Sequence, residues 1–152
     1  MDPRSHYLFP CTLFAHRQAH QVTTILGSCV AVCLWDSGLG LGGMNHYMLA
    51  LWNGDGLPTP KYGNIAIEKL IRAMLDRGAD RGRMVAKVFG GARVISSDPE
   101  IWSVGERNIA LAREVLGREA IPIQAMDVGG TNGRKIVFDT ASGAVLMYRL
   151  RS

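Results

Sequence analysis

Residues 26–35 have the sequence Leu-Gly-Ser-Cys-Val-Ala-Val-Cys-Leu-Trp, which after its glycine is apolar and rich in β-branched side chains. A short apolar run bounded by turn residues is typical of a buried β-strand. Residues 36–40, Asp-Ser-Gly-Leu-Gly, are a dense turn signal, and a second largely apolar run follows at residues 41–49. The pattern predicts a β-hairpin.

This hairpin brings Cys29 and His46 together. If Trp35 lies opposite residue 40 or 41, the register places Cys29 opposite residue 46 or 47, and directly opposed Cβ atoms are about 4.5–5.5 Å apart. A thiol beside an imidazole is the minimal pair for nucleophilic catalysis by cysteine, because the imidazole can take the thiol proton and give a thiolate. A cysteine in an apolar strand is also commonly a small hydrophobe, which is our interpretation of Cys33. Cys29 differs because it follows a Gly-Ser pair whose backbone amides can face a developing oxyanion.

A third residue should orient the imidazole. Thr23 and Thr24 on the preceding strand and Asn45 beside the histidine are the candidates, and the residue pattern leaves the choice among them open. A zinc site is not expected, because Cys29 and Cys33 on one strand lie about 13 Å apart at about 3.3 Å per residue.

Length and composition predict one domain, residues 1–152, large enough to bury a core without disulfides. No stretch approaches the roughly 18 apolar residues of a membrane helix, and the N-terminus lacks the pattern of a secretory signal, so we expect a cytoplasmic protein. Three cysteines without paired spacing predict reduced thiols. The net charge of +4 comes from scattered arginines and identifies no particular partner.

The rest of the chain alternates strands and helices. Strands are predicted at residues 21–26, 84–89, 121–126, 135–138 and 144–150. One helix is capped by Asn64 and ends at Gly78, and another begins at Ser103, in a capping box with Glu106, and runs to Leu116. Two Gly-Gly pairs, at residues 90–91 and 129–130, follow strands and allow close backbone approach or shape a pocket rim. Arg107 and Asn108 are polar groups that could line this pocket. The fold class is α/β: a single-domain sandwich with a mixed, largely antiparallel sheet and two covering helices.

Several motifs in order resemble the chemoreceptor glutamine deamidases, the CheD family of bacterial chemotaxis. They are Thr-Thr-Ile-Leu-Gly-Ser-Cys-Val-Ala-Val-Cys at residues 23–33, Gly-Gly-Met-Asn-His-Tyr-Met-Leu at 42–49, Lys-Tyr-Gly at 61–63, Ala-Lys-Val-Phe-Gly-Gly-Ala at 86–92, Gly-Glu-Arg-Asn at 105–108, Asp-Val-Gly-Gly at 127–130 and Gly-Arg at 133–134. The resemblance covers the chain from about residue 20 onward.

The resemblance implies an amide hydrolase, a protein-glutamine glutaminase that converts receptor glutamines to glutamate and ammonia without a cofactor. By position, Cys29 matches the nucleophile, His46 the general base and Thr23 the orienting threonine. The implied partners are the signalling helices of methyl-accepting chemoreceptors and a CheC-type phosphatase. Two alternatives remain: a non-enzymatic regulatory partner of that phosphatase, and a receptor methylesterase using the same thiol.

Overall fold

The computed structural model describes residues 4–151 and contains nine strands and three helices within that range. The strands are β1 (Ser5–Tyr7), β2 (Leu13–His16), β3 (Gln21–Leu26), β4 (Val30–Asp36), β5 (Leu41–Asn45), β6 (Met84–Gly90), β7 (Ile123–Val128), β8 (Arg134–Asp139) and β9 (Val145–Arg149). The helices are α1 (Gly63–Asp76), the short α2 (Pro99–Trp102) and α3 (Val104–Arg118). None of these helices is long and apolar enough to cross a membrane.

The strands form two sheets. One has four strands in the order β1-β3-β8-β9, and the other has five in the order β2-β5-β4-β6-β7. Only the pairs β1–β3 and β6–β7 are parallel. The expected α/β class, with a mixed and largely antiparallel arrangement, is confirmed, with the strands divided between two sheets.

Strand β4 is buried on both faces, which explains its near-continuous apolar sequence. Val30, Val32 and Leu34 face α1 and α3 in the larger core, whereas Ala31 and Cys33 face the four-stranded sheet in a second core. The molecule therefore has three layers, sheet, sheet and helices, and both Cys29 and β4 belong to the central layer.

The hairpin forms, but the predicted register is wrong. Asp36 pairs with Leu41 and Trp35 pairs with Gly42, because residues 37–40 form the loop. The Asp36 side chain accepts a hydrogen bond from Gly38 N (2.9 Å), and its carbonyl accepts one from Gly40 N (3.0 Å), which closes this turn. The last pair is the isolated bridge of Val30 with Tyr47.

Both long helices lie where the apolar spacing predicts them, but their caps differ. Tyr62, not Asn64, occupies the N-cap of α1, and the Asn64 side chain accepts a hydrogen bond from Trp52 N (3.1 Å). Gly78, with φ 101°, follows the helix as expected. Ser103 is the N-cap of α3, but its hydroxyl donates to Pro99 O (2.8 Å) and makes no capping-box bond.

Candidate active site

Cys29 stands at the entrance to β4, where the backbone turns out of the Gly-Ser pair. Its half-buried side chain packs against the core between the two sheets. The Cys29 carbonyl accepts a hydrogen bond from Gly91 N (2.9 Å), and a Cβ on Gly90 would collide with that same carbonyl. Gly90 and Gly91 both have positive φ, so close backbone approach explains the first glycine pair.

His46 follows β5 and is 2% exposed. Its backbone is held on both sides by the loop before β2, since Cys11 N donates to His46 O (2.8 Å) and His46 N donates to Thr12 O (3.2 Å). With Val30 opposite Tyr47, Cys29 and His46 are diagonal neighbours on the sheet face that looks toward the four-stranded sheet. Among the described residues no hydrogen bond joins the thiol to the imidazole, although the two groups share a face.

Thr24 orients the imidazole. Its hydroxyl lies 2.7 Å from His46 Nδ1 and 2.8 Å from Leu8 O. A carbonyl oxygen can only accept, so the single hydroxyl proton goes to Leu8 O, and Nδ1–H must donate to the Thr24 oxygen. The imidazole is thereby held as the Nδ1–H tautomer, which leaves Nε2 with a free lone pair able to accept a proton.

The contact assigned to Thr23 from the family resemblance is therefore made by its neighbour. Successive side chains in β3 alternate between faces, and Val22, Thr24 and Leu26 point into the core between the sheets. Thr23 lies on the other face. Val22 and Leu26 are apolar residues at alternate positions of the strand, and this sequence signal places Thr24 on the inward face with them. Thr23 was assigned instead because it lies six residues before Cys29.

Asn45, the third candidate, is also excluded as the orienting group. Its side-chain oxygen accepts a hydrogen bond from Val32 N (2.9 Å), which replaces a backbone bond of the β4–β5 ladder. Asn45 is fully buried and points to the opposite face of β5 from His46.

The pKa directions indicate a neutral resting pair. Burial lowers the pKa of His46 from 6.5 to about 4. Burial also raises the pKa of the Cys29 thiol, and the nearby Cys11 raises it further, against a smaller opposing effect of the Cys29 backbone N–H. The expected resting thiolate is not supported, because both shifts favour a protonated thiol beside an unprotonated imidazole.

Free backbone amides lie next to the thiol. Among the described residues no acceptor on another residue takes the N–H of Ser28 or of Cys29; the Cys29 N–H acts only on its own thiol. The neighbouring carbonyls of Gly27 and Cys29 accept from Ala92 N and Gly91 N (both 2.9 Å). A turn whose carbonyls are fixed and whose amides are free can donate to an oxyanion without reorganising.

A buried guanidinium supports the glycine turns behind Cys29. Arg134 is 1% exposed and donates to Asp127 Oδ1 (2.9 Å), Gly129 O (2.8 Å) and Gly90 O (3.3 Å). Gly129 N in turn donates to Gly90 O (2.9 Å), so the second glycine pair packs onto the first. Sequence analysis gave Arg134 no role, because nothing local indicates that a charged strand residue is buried.

A cleft opens beside the Gly27–Ser28 turn. Its volume is about 370 Å³, and the apolar side chains of Val94 and Ile95 on its wall are 43% and 85% exposed. The remaining lining residues are Ala92, Arg93, Thr131 and Gly133. A second cleft of about 360 Å³ between α1 and α3 is lined by none of the candidate catalytic residues Cys29, His46 and Thr24. Cys29 itself lines neither cleft, but its neighbour Ser28 lines the first, so the first cleft is the one adjacent to the thiol.

Comparison with known proteins identifies the family of this chain. Residues 50–149 match the family model described as CheD, chemotactic sensory transduction. A protein of Trichlorobacter lovleyi is 51% identical over 146 residues, covering 96% of this chain and 91% of its own length. A protein of Sulfurimonas denitrificans is 49% identical over 97% of this chain and 95% of its own, and one of Anaeromyxobacter dehalogenans is 41% identical over 85% and 75%. All three are named probable chemoreceptor glutamine deamidase CheD. This chain belongs to the CheD family.

Proposed function

We propose that this protein hydrolyses the side-chain amides of glutamines on chemoreceptors, with Cys29 as nucleophile, His46 as general base and Thr24 as the residue that orients the base. The observation that carries the proposal is the hydrogen-bonded chain from Leu8 O through the Thr24 hydroxyl to His46 Nδ1. It leaves Nε2 as a proton acceptor on the face that also bears Cys29. The names of the relatives supply the substrate class.

The first half of the reaction forms a thioester. The Cys29 thiol proton passes to His46 Nε2 as the sulfur bonds to the glutamine carboxamide carbon, and the carbonyl oxygen becomes an oxyanion. The free amides of Ser28 and Cys29 stabilise that oxyanion, a contribution of roughly 3–4 kcal/mol per donor in other acyl-transfer enzymes. The C–N bond then breaks, and the imidazolium returns its proton to the leaving nitrogen, which departs as ammonia.

The second half hydrolyses the thioester. Water loses a proton to His46 Nε2 as its oxygen attacks the acyl carbon, the C–S bond breaks, and the sulfur takes the proton back. The products are glutamate and the neutral thiol–imidazole pair. The neutral resting state means that the thiolate forms only during attack, so the thiol must come into hydrogen-bond geometry with His46 Nε2 when substrate enters. Catalytic hydrogen bonds are often longer before substrate binds.

The proposed partners are the receptor signalling helices, in the cytoplasm. Their glutamine side chains would reach Cys29 from the cleft, where Val94 and Ile95 offer apolar contact to the helix surface around the target. A CheC-type phosphatase is the proposed regulatory partner.

The test is mass spectrometry of a purified receptor signalling domain after incubation with the protein. Conversion of specific glutamines to glutamate is expected with the wild type and with Cys33→Ala, and no conversion with Cys29→Ala. Cys33 is a matched control because it is a buried thiol on the same face of the same strand. Conversion by folded Cys29→Ala would refute the cysteine mechanism. An unchanged receptor would favour the adaptor alternative, and loss of methyl groups from methylated receptor would favour the esterase.

A further inference from the structure

We infer that Asn108 is a positioning residue that holds the segments bearing the nucleophile and the base at a fixed separation; the inference rests on the roles proposed for Cys29 and His46. Asn108 lies in α3 and is fully buried. Its side-chain Nδ2 donates two hydrogen bonds, one to Ser28 O and one to Met48 O, each 3.0 Å long. Ser28 immediately precedes Cys29, and Met48 lies two residues after His46.

The side-chain amide joins the hairpin strands where their own pairing has ended. The β4–β5 ladder runs from Asp36 to Cys33, the Val32 N–H is then taken by the Asn45 side chain, and the Val30–Tyr47 bridge is the last backbone pair. Cys29 and its opposite residue, Met48, lie beyond that bridge. Asn108 supplies the next cross-connection, so one side chain joins the two reacting segments beyond the end of their backbone pairing.

The orientation of this amide is fixed by its partners. Asn108 Oδ1 is buried and has no hydrogen-bond partner among the described residues. If the amide were reversed, Oδ1 would face the Ser28 and Met48 carbonyl oxygens, and none of these three acceptors would have a donor. The chain therefore leaves a buried oxygen unbonded in order to keep both N–H groups on these carbonyls. A residue needed only to fill space would not require that arrangement, since an apolar side chain avoids it.

Helix α3 is docked so that the amide can reach both carbonyls. Gly105 lies one turn before Asn108, and a Cβ there would be 2.5 Å from the carbonyl oxygens of Gly91 and Ala92. The Tyr47 hydroxyl donates to the Asn108 main-chain carbonyl (2.6 Å), which ties the helix to the residue after His46. The Gly-Glu-Arg-Asn sequence of residues 105–108 thus combines a close-contact residue and a two-carbonyl anchor on one helix face. The sequence pattern suggested that Asn108 lines the pocket. In the structure it lies behind the site and lines neither cleft.

Positioning predicts an effect on turnover more than on substrate binding. Asn108 bonds the Ser28 carbonyl but does not itself line the cleft, and it makes no hydrogen bond to the thiol, so Asn108→Ala should leave KM near the wild-type value. Displacement of a reacting group by about 1 Å can lower the rate of a reaction by about a hundredfold. We expect kcat to fall by roughly tenfold to a hundredfold in Asn108→Ala. Asn108→Ser, whose hydroxyl can still donate to one of the two carbonyls, should have an intermediate kcat.

The experiment compares kcat, KM and thermal unfolding of the full-length wild type, Asn108→Ala, Asn108→Ser and Thr140→Ala on a receptor signalling domain, well below all unfolding midpoints. Thr140 is the matched control because it is a buried polar residue whose hydroxyl accepts a hydrogen bond from His20 N (2.9 Å). It lies beside Trp35, at the other end of β4 from Cys29. The rate of iodoacetamide modification of Cys29, followed by peptide mapping, reports the thiol–imidazole geometry without substrate.

The inference is supported if kcat and the Cys29 modification rate decrease in the order wild type, Ser, Ala while Thr140→Ala changes only the unfolding midpoint. It is overturned if the folded Asn108 variants keep wild-type kcat, or if Thr140→Ala lowers kcat equally at an equal loss of stability. If Asn108→Ala does not fold, the inference is tested with Asn108→Ser alone, by comparing its kcat and Cys29 modification rate with those of the wild type and Thr140→Ala. If Cys29→Ala is as active as the wild type in this assay, the proposed function fails instead, and the inference fails with it.

Discussion

Replacing Thr24 by valine tests the proposed site most directly, because valine keeps the branched shape and removes only the hydroxyl. In the wild type this hydroxyl accepts from His46 Nδ1 at 2.7 Å and donates to Leu8 O at 2.8 Å. The variant leaves both groups buried without a partner. The imidazole then gains nothing from carrying its proton on Nδ1, and the tautomer with the proton on Nε2 cannot accept from the thiol.

The size of the effect follows from the cost of an unpaired buried group, about 1–3 kcal/mol. If the active tautomer and orientation lose that much relative to inactive ones, kcat falls by about fivefold to about 150-fold, at 1.36 kcal/mol per factor of ten. Stability should also fall, because Leu8 O loses its donor in every tautomer. Thr24→Ser retains the hydroxyl and should recover most of the lost turnover.

The assay is ammonia release from a receptor signalling domain at saturating substrate, with Thr23→Val as the matched control. Thr23 differs from Thr24 only in its face of β3, so its substitution should leave kcat near the wild-type value. Equal activity of Thr24→Val and wild type would refute the tautomer argument. A loss of kcat confined to Thr23→Val would restore the assignment made by resemblance and show that the inward face of β3 has been misassigned.

Two further predictions concern the base and the turn that holds the nucleophile. Because burial lowers the pKa of His46 from 6.5 to about 4, kcat/KM should show its acidic limb near pH 4, and a limb near 6.5 would contradict the neutral pair. Between those pH values His46 binds a proton in the unfolded chain but not in the folded one, so the free energy of unfolding should fall on acidification by up to about 3 kcal/mol. Urea titrations at several pH values measure this fall, which should be smaller in His46→Gln. Gly90→Ala should lower kcat and stability more than Gly129→Ala; both positions have positive φ, but only a Cβ at Gly90 meets the Cys29 carbonyl, and equal effects would mean that backbone conformation alone matters.

That Cys29 and His46 lie near one another could be predicted from sequence because a hairpin is a local structure. Apolar runs on both sides of a Gly-rich turn specify which segments pair. They do not specify the faces, because the two registers considered, with residue 46 or residue 47 opposite Cys29, put His46 on opposite faces. The exact register could not be predicted, because Asp-Ser-Gly-Leu-Gly permits loops of several lengths. In the true register the residue opposite Cys29 is Met48. His46 shares the face of Cys29 because it lies two residues before Met48.

The remaining parts of the site come from contacts between distant segments, which local patterns do not encode. The Leu8 carbonyl follows β1, which sequence analysis did not identify, and it reaches Thr24 only because β1 pairs in parallel with β3. Asn108 and Arg134 are polar residues in a helix and a strand whose burial depends on the packing of the layers. The nearby glycines Gly105 and Gly133 indicate that another segment packs closely against the backbone there, but the sequence does not show which segment it is.

A neutral thiol–imidazole pair suits the hydrolysis of an unactivated amide. The leaving group of a carboxamide is poor until its nitrogen is protonated, so the base must hold a proton after the thiol has attacked and then release it readily. An imidazole whose pKa is lowered from 6.5 to about 4 is a stronger acid once protonated than an ordinary imidazolium, which favours proton delivery to the departing nitrogen. The cost falls on the first step, because the same burial raises the pKa of Cys29 and makes thiolate formation harder. In the proposed mechanism, stabilisation of the oxyanion by the Ser28 and Cys29 amides offsets that cost, which is consistent with a turn whose carbonyls are bonded and whose amides have no acceptor on another described residue.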